Sequence, residues 1–273
     1  MADLPQTSHV RLDLRGPVLH LWLNRPEQRN ALSAQMVREI AATFAAIEDD
    51  RAMRVVVIRG VGGTFCAGGD IKSMSRAEQA PPSAAADELK DNNRRFGAML
   101  EMINAAPQVV VAAVEGYAMG GGFGLACVAD YTLTTADARF AMSEVMIGVV
   151  AAAISPFVVQ RIGLTAARRL GVSGTRLSGT EAAGVGIAHL AVADAAALDV
   201  AVRDACNAVL KSAPGAVATT KKLMLRAAAA IPIPQLLDDA AAAFADAVRG
   251  AEGREGTKAF VEKRKPSWVT QVE

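Results

Sequence analysis

Aromatic residues are scarce in this chain: Phe, Trp and Tyr make up 4% of its 273 residues. With a formal net charge of +1, that leaves no basic surface interleaved with aromatic rings, and a nucleic-acid partner is not expected. Cysteine is as rare. Cys66, Cys127 and Cys206 are odd in number and far apart, with no C-x-x-C pair, so neither a disulfide framework nor a zinc site is indicated. His9, His20 and His189 are scattered and read as surface or half-buried side chains. Long apolar runs are missing too. The most membrane-like stretch, "VMIGVVAAAISPFVV" (145–159), falls short of the ~20 residues a spanning helix needs and is interrupted by Ser155-Pro156. It reads as a buried loop running into a helix, and no membrane partner is expected. The first residues, "MADLPQTSHVRLDL", lack the basic-then-apolar layout of a signal peptide, so the expected location is the cytoplasm.

What the chain has in quantity is small and apolar residues. At 52% hydrophobic and 21% charged, it can bury one large core without staples. "VRLDLRGPVLHLWLN" alternates apolar and polar on both sides of Arg15-Gly16-Pro17, which predicts two strands and a tight turn. Ser33 is a suitable N-cap for a helix whose Met36, Val37, Ile40, Phe44 and Ile47 recur at helical spacing. "RVVVIRG" (54–60) and "PQVVVAAVEG" (107–116) read as buried strands, and each leads into a glycine-rich segment. Between them, residues 75–95, with Pro81-Pro82 and many charges, predict a loop running into a helix. "YTLTT" and "ARFAM" look like a strand pair, and Ser178 with Glu181 forms a capping box. Beyond Ala195 the pattern is almost wholly helical, broken at "PIPQLL" (232–237). The expectation is an α/β chain: a strand-strand-helix body over residues 1–195, then a helical region over 196–273 of the kind that packs subunits together. No exact sequence repeat is visible.

The run "GYAMGGGFGLACVAD" (116–130) needs a reason, since each glycine in an ordered element costs about 0.5–1 kcal/mol relative to alanine. Either the backbone turns tightly there, or its N–H groups must approach a ligand. Phosphate-binding patterns do not fit: Phe65 and Leu125 stand where the last glycine of G-x-G-x-x-G is needed, and no G-x-x-x-x-G-K-[ST] is present. G-x-S-x-G is absent as well. Two backbone turns that could present amides to one oxygen remain.

Four segments in order, "LNRPEQRNALS", "FCAGGDIK", "GYAMGGGFGLACVAD" and "EGTKAFVEKRKP", make nearly the whole chain resemble the enoyl-CoA hydratase/isomerase (crotonase) superfamily. The resemblance implies a right-handed spiral of ββα turns with a helical C-terminal trimerisation region, assembled as a trimer or a dimer of trimers. It implies an acyl-CoA thioester substrate and no separate cofactor or metal, coenzyme A being part of the substrate. By the same resemblance the amides of Ala67 and Gly121 form an oxyanion hole for a thioester enolate. The coenzyme A contacts map onto Arg25, Arg29 and Ala31, onto Gly68, Gly69, Asp70, Ile71 and Lys72, and onto Phe260 and Lys263 near the end. For the basic residues, plain solvated charge is the competing reading.

Hydratases of this superfamily hold a water between two glutamates. The second maps onto Glu144, but the first position is Gly124. Glu144 in apolar surroundings would have a raised pKa suited to proton exchange near neutral pH; the alternative is a turn cap or a pair with Arg139. A lone glutamate suits hydration or double-bond isomerisation, and a non-catalytic acyl-CoA binder or scaffold is the reading from another class. "GGGFGLACVAD", "SEV" and "ISPFVVQRIG" are similar to bacterial hydratases of methylglutaconyl and isohexenylglutaconyl thioesters. That likeness favours hydration, with the space over Gly124 expected to let a substrate carboxylate help place the water.

Overall fold

The computed structural model describes residues 3–70, 87–229 and 231–273. Strands β1 (Val10–Arg15), β2 (Val18–Leu23), β3 (Val55–Gly60), β4 (Val109–Val114), β6 (Tyr131–Thr135) and β9 (Leu190–Val192) form one sheet in the order β1-β2-β3-β4-β6-β9. Only β1–β2 is antiparallel; the remaining pairs run parallel, in registers such as Val55↔Val109 and Ala113↔Leu133. A second sheet holds β5 (Tyr117–Met119), β7 (Arg139–Ala141) and β8 (Leu177–Ser178).

The valine runs are apolar on both faces because both faces of the large sheet are covered. Val56, Ile58, Val110, Ala112 and Val114 point into a core shared with helices α1 (Ala34–Ile47) and α2 (Glu88–Ala105). Val55, Val57, Val109, Val111 and Ala113 point the other way, onto Leu198, Val202, Cys206 and Val209 of a further helix, Ala195–Val209. Ser33 caps α1 as its sequence predicts, accepting a hydrogen bond from the Met36 N–H at 3.1 Å.

Two successive turns of chain each lay one strand in the large sheet, one in the small sheet, and then a helix. β4 and β5 lead into α3 (Gly121–Val128); β6 and β7 lead, through a 3-10 turn at Glu144–Ile147, into α4 (Ser155–Ser173). This is the expected α/β ββα arrangement. "YTLTT" and "ARFAM" are both strands, but they are not a pair: β6 lies between β4 and β9, whereas β7 lies between β5 and β8. The predicted capping box is present, with Ser178 and Glu181 reciprocally bonded at the start of α5 (Gly179–Gly184).

Two further expectations change. The 145–150 segment is not a buried loop: it lies on the surface, with Met146 63% and Val150 72% exposed. The left-handed Gly148 (φ 75°) ends the 3-10 turn Glu144–Ile147 there. The break at "PIPQLL" is shorter than predicted, since Pro232 already caps the next helix. Of residues 75–95, the described part (87–95) opens α2; the rest lies outside the described residues.

After α6 (Ala195–Val209) come α7 (Pro214–Ala227), α8 (Ile233–Arg249) and α9 (Ala251–Val261). These last three bury almost nothing of their own and expose Met224, Leu237, Phe244, Phe260 and Val261. Among the described residues no helix is long and apolar enough to cross a membrane.

Arg54, buried at the start of β3, ties the chain end to the body. It donates to the carbonyl oxygens of Trp268 at 2.7 Å, Val209 at 3.2 Å and Ser212. Arg54→Met should strand these acceptors and cost about 3 kcal/mol. At fixed protein concentration that is a melting temperature about 6–12 °C lower; an unchanged melt would show that the clamp carries no weight.

Candidate active site

The strand β5 assembles the site. Its two flanks are bonded to different loops: Met119 N–H donates to the Cys66 carbonyl at 2.9 Å, and Gly120 N–H donates to the Ala141 carbonyl at 2.9 Å. The turn 66–70 therefore lies on one side of the glycine run and the segment 141–144 on the other.

Gly120 sits at φ 49° immediately before α3, and Gly68 at φ 102° in the facing turn. A Cβ at Gly68 would stand 3.2 Å from the Met119 carbonyl oxygen, and one at Gly120 would stand 2.9 Å from Glu144 Oε1 and 3.7 Å from the Gly68 Cα. Backbone packs on backbone, and only glycine permits both the angle and the approach.

Amides without partners collect at this seam. Gly121 opens α3, so its N–H has no intrahelical acceptor, and none is found elsewhere among the described residues. In the other turn the N–H expected to act, that of Ala67, is already used: it donates to the Arg29 carbonyl at 3.0 Å. Leu32 N–H donates to Gly68 O at 2.8 Å, and Asp70 N–H donates to Leu32 O at 3.1 Å. In such a parallel bridge the Gly69 N–H between them faces away from Leu32, and it has no partner among the described residues. The Gly68 N–H also lacks a partner among the described residues, so the donors left free in this turn are those of the two glycines beyond Ala67.

Glu144 is the first residue of the 3-10 turn and is half-buried. Its Oε2 is fully enclosed without a hydrogen-bond partner. Burial pushes its carboxyl above the ordinary glutamate range, opposed only by its own backbone N–H. Among the described residues no ion pair links it to Arg139; of the alternative weighed from the sequence only the turn position remains, with Glu144 opening the 3-10 turn and its carboxyl bonded to its own backbone N–H. Cys66, packed behind Gly122, is no rival nucleophile, because burial raises its thiol to about 12. Among the described residues there is no cluster of three metal-ligating side chains.

The space over Gly124 is not open. A Cβ there would lie 2.3 Å from Ile154 Cγ2 and 3.5 Å from Leu100 Cδ1. The room expected for a substrate carboxylate is filled by an isoleucine.

Of the residues matched to coenzyme A contacts, Arg25 is 8% exposed and engaged inside the protein. It donates to the Ala31 carbonyl at 2.6 Å and to Gln28, and it pairs with Asp70 at 3.0 Å. It is a strut between the 25–32 loop and the 66–70 turn, not a free cation. Arg29 (φ 49°) is exposed. Ile71 and Lys72 lie outside the described residues. Phe260, near the end of α9, and Lys263, just beyond it, are both exposed.

A family model described as enoyl-CoA hydratase/isomerase matches residues 14–271. The chain belongs to the enoyl-CoA hydratase/isomerase family. It is similar to the solved structure of AtuE of Pseudomonas aeruginosa, with 48% identity, a TM-score of 0.92, and coverage of 96% of this chain and 100% of that one. The structure of an enoyl-CoA hydratase/isomerase from Marinobacter aquaeolei shares 46% identity at a TM-score of 0.92, over 96% and 99% of the two chains. The carnitinyl-CoA dehydratase of Proteus mirabilis is 31% identical over 273 residues, 95% of this chain and 97% of that one.

Sequence reading missed Asn30 and Ile154. Asn30, fully buried at φ 56°, accepts from the Arg25 N–H at 2.9 Å and donates to the carbonyls of Val61 and Thr64 at 2.9 and 2.6 Å. It joins the 25–30 and 61–64 loops of this enoyl-CoA hydratase family site, and one polar residue among several in "QRNALS" gave no sign of that.

Two outcomes follow. Arg25→Ala takes a shared buried donor from the Ala31 carbonyl, Gln28 and Asp70 and should cost about 1–3 kcal/mol, read as a lowered denaturation midpoint. Glu144 holds its proton more tightly folded than unfolded. The stability it contributes is thus present below its ordinary value of 4.5 and lost as pH rises through the higher folded value. Glu144→Gln should therefore melt like the wild type at about pH 4 and above it at about pH 8; equal melts at both would contradict the burial argument.

Proposed function

We propose that this enoyl-CoA hydratase-like protein adds water across the double bond of an enoyl-CoA thioester, with a branched or glutaconyl-type acyl group as substrate. The observation that carries the reading is one partnerless, buried carboxyl oxygen of Glu144 beside a seam with partnerless amides, Gly69 and Gly121 among them. The amides receive the thioester oxygen and hold the charge that develops there; losing one such donor typically costs about 10²–10³ in rate. Glu144 takes a proton from water as its oxygen attacks C3, the electrons move to the thioester oxygen as an enolate, and the same carboxyl returns the proton to C2. One group acting first as base and then as acid needs a carboxyl poised above its usual range.

The substrate class rests on the likeness of "GGGFGLACVAD", "SEV" and "ISPFVVQRIG" to hydratases of glutaconyl-type esters. Exposed Arg29, Phe260 and Lys263 are available to the coenzyme A moiety, the last two from a neighbouring subunit. The apolar side chains exposed on α7–α9 favour a homotrimer or a dimer of trimers, and a cytoplasmic location fits the substrate.

Isomerisation is the second reading, favoured by Ile154 and Leu100 standing where a second acid would be. There Glu144 moves one proton from C4 to C2 and no water is used. Crotonyl-, 3-enoyl- and 3-methylglutaconyl-CoA, assayed separately in oxygen-18 water, distinguish the two. The expected result is label at C3 of the glutaconyl product; product from the 3-enoyl ester alone, unlabelled, would overturn hydration. Glu144→Gln should lower turnover by about 10²–10⁴, and unchanged turnover of every ester would point to a non-catalytic role.

A further inference from the structure

Three segments meet at small residues on one side of α3. A Cβ at Gly97 of α2 would sit 3.6 Å from Ala153 Cβ, while Gly121 and Gly124, one helical turn apart, face Leu32 and Phe96 in one case and Ile154 and Leu100 in the other. Ile154 is 2% exposed and cannot move aside easily. Its carbonyl accepts the Val158 N–H at 3.0 Å as α4 begins, Ser155 Oγ donates back to the Ala151 carbonyl, and Pro156 restricts the chain on the other side. Its β-branched side chain has few rotamers to choose from. Leu100, the other wall, is fully buried in the main core.

We infer that Ile154 is a specificity-determining residue: fixed at the entrance to α4, it occupies the volume any side chain at position 124 would need and so keeps the site to a single acid. The inference rests on the hydratase reading above and extends it. With Ile154 in place, the wall beside C3 is dry and apolar. The substrates handled well are then those that do not depend on a second protein carboxylate to hold the water. A glutamate at 124 can serve only if residue 154 is made smaller at the same time.

The test is a mutant cycle. Gly124→Ala should lower the melting temperature by about 5 °C through overpacking, and Ile154→Ala in the same chain should recover most of that loss. Strictly additive shifts, or a Gly124→Ala protein that melts like the wild type, would overturn the inference. The kinetic arm compares Gly124→Glu/Ile154→Ala with Ile154→Ala alone. The ratio of crotonyl-CoA to 3-methylglutaconyl-CoA hydration should rise at least about tenfold in the double variant, the lower end of what a placed acid-base group contributes. An unchanged ratio refutes the proposal, and so does a double variant that fails to fold, because Ile154 would then not be the obstacle. If the wild type hydrates none of the esters, the hydratase reading falls, while the melting cycle still reports on the Gly124–Ile154 relation.

Discussion

Everything at the site depends on two stretches of backbone touching without Cβ atoms between them. Gly68 and Gly120 both hold left-handed angles, and each would drive a Cβ into the other's neighbourhood or into Glu144. That contact is possible because β5 is bonded on one flank to Cys66 and on the other to Ala141. A three-residue strand thereby brings together two segments distant in sequence, and amides on both sides of the seam are left without partners among the described residues.

The surrounding structure holds that seam at low tolerance. Arg25 and Asp70, both nearly enclosed, lock the 25–32 loop to the 66–70 turn, and Asn30 spans to Val61 and Thr64. A cation that reads from the sequence as a ligand contact is engaged instead in joining these two segments. Such preorganisation has a physical rationale: donors that need no reorientation when charge develops stabilise it at no further cost. Glu144 belongs to the same design in the opposite sense, a carboxyl held in a setting that disfavours its charged form.

Much of the scaffold was legible in the sequence because it is written in local patterns. The alternation in β1 and β2, the apolar runs of β3 and β4, Ser33 as a cap and the Ser178–Glu181 box all follow from short-range geometry and burial. β6 and β7 were legible as strands but not as members of different sheets, since pairing is a long-range choice that local composition does not encode. The 145–150 segment was misjudged for a related reason. Apolar composition shows a preference for burial, yet Val145, Met146, Ile147, Val149 and Val150 are exposed.

The motifs by themselves determined the family and the glycine turns, and they single out Glu144 as the candidate acid and Gly124 as the position without one. The tertiary structure alone decided that the alanine amide of the "AGGD" turn is not free, since the Ala67 N–H is taken by the Arg29 carbonyl. It also decided what stands over Gly124. A glycine in a sequence marks where a side chain is missing; only the packing of α2 and the start of α4 around it shows that the space belongs to Ile154 and Leu100 rather than to a ligand.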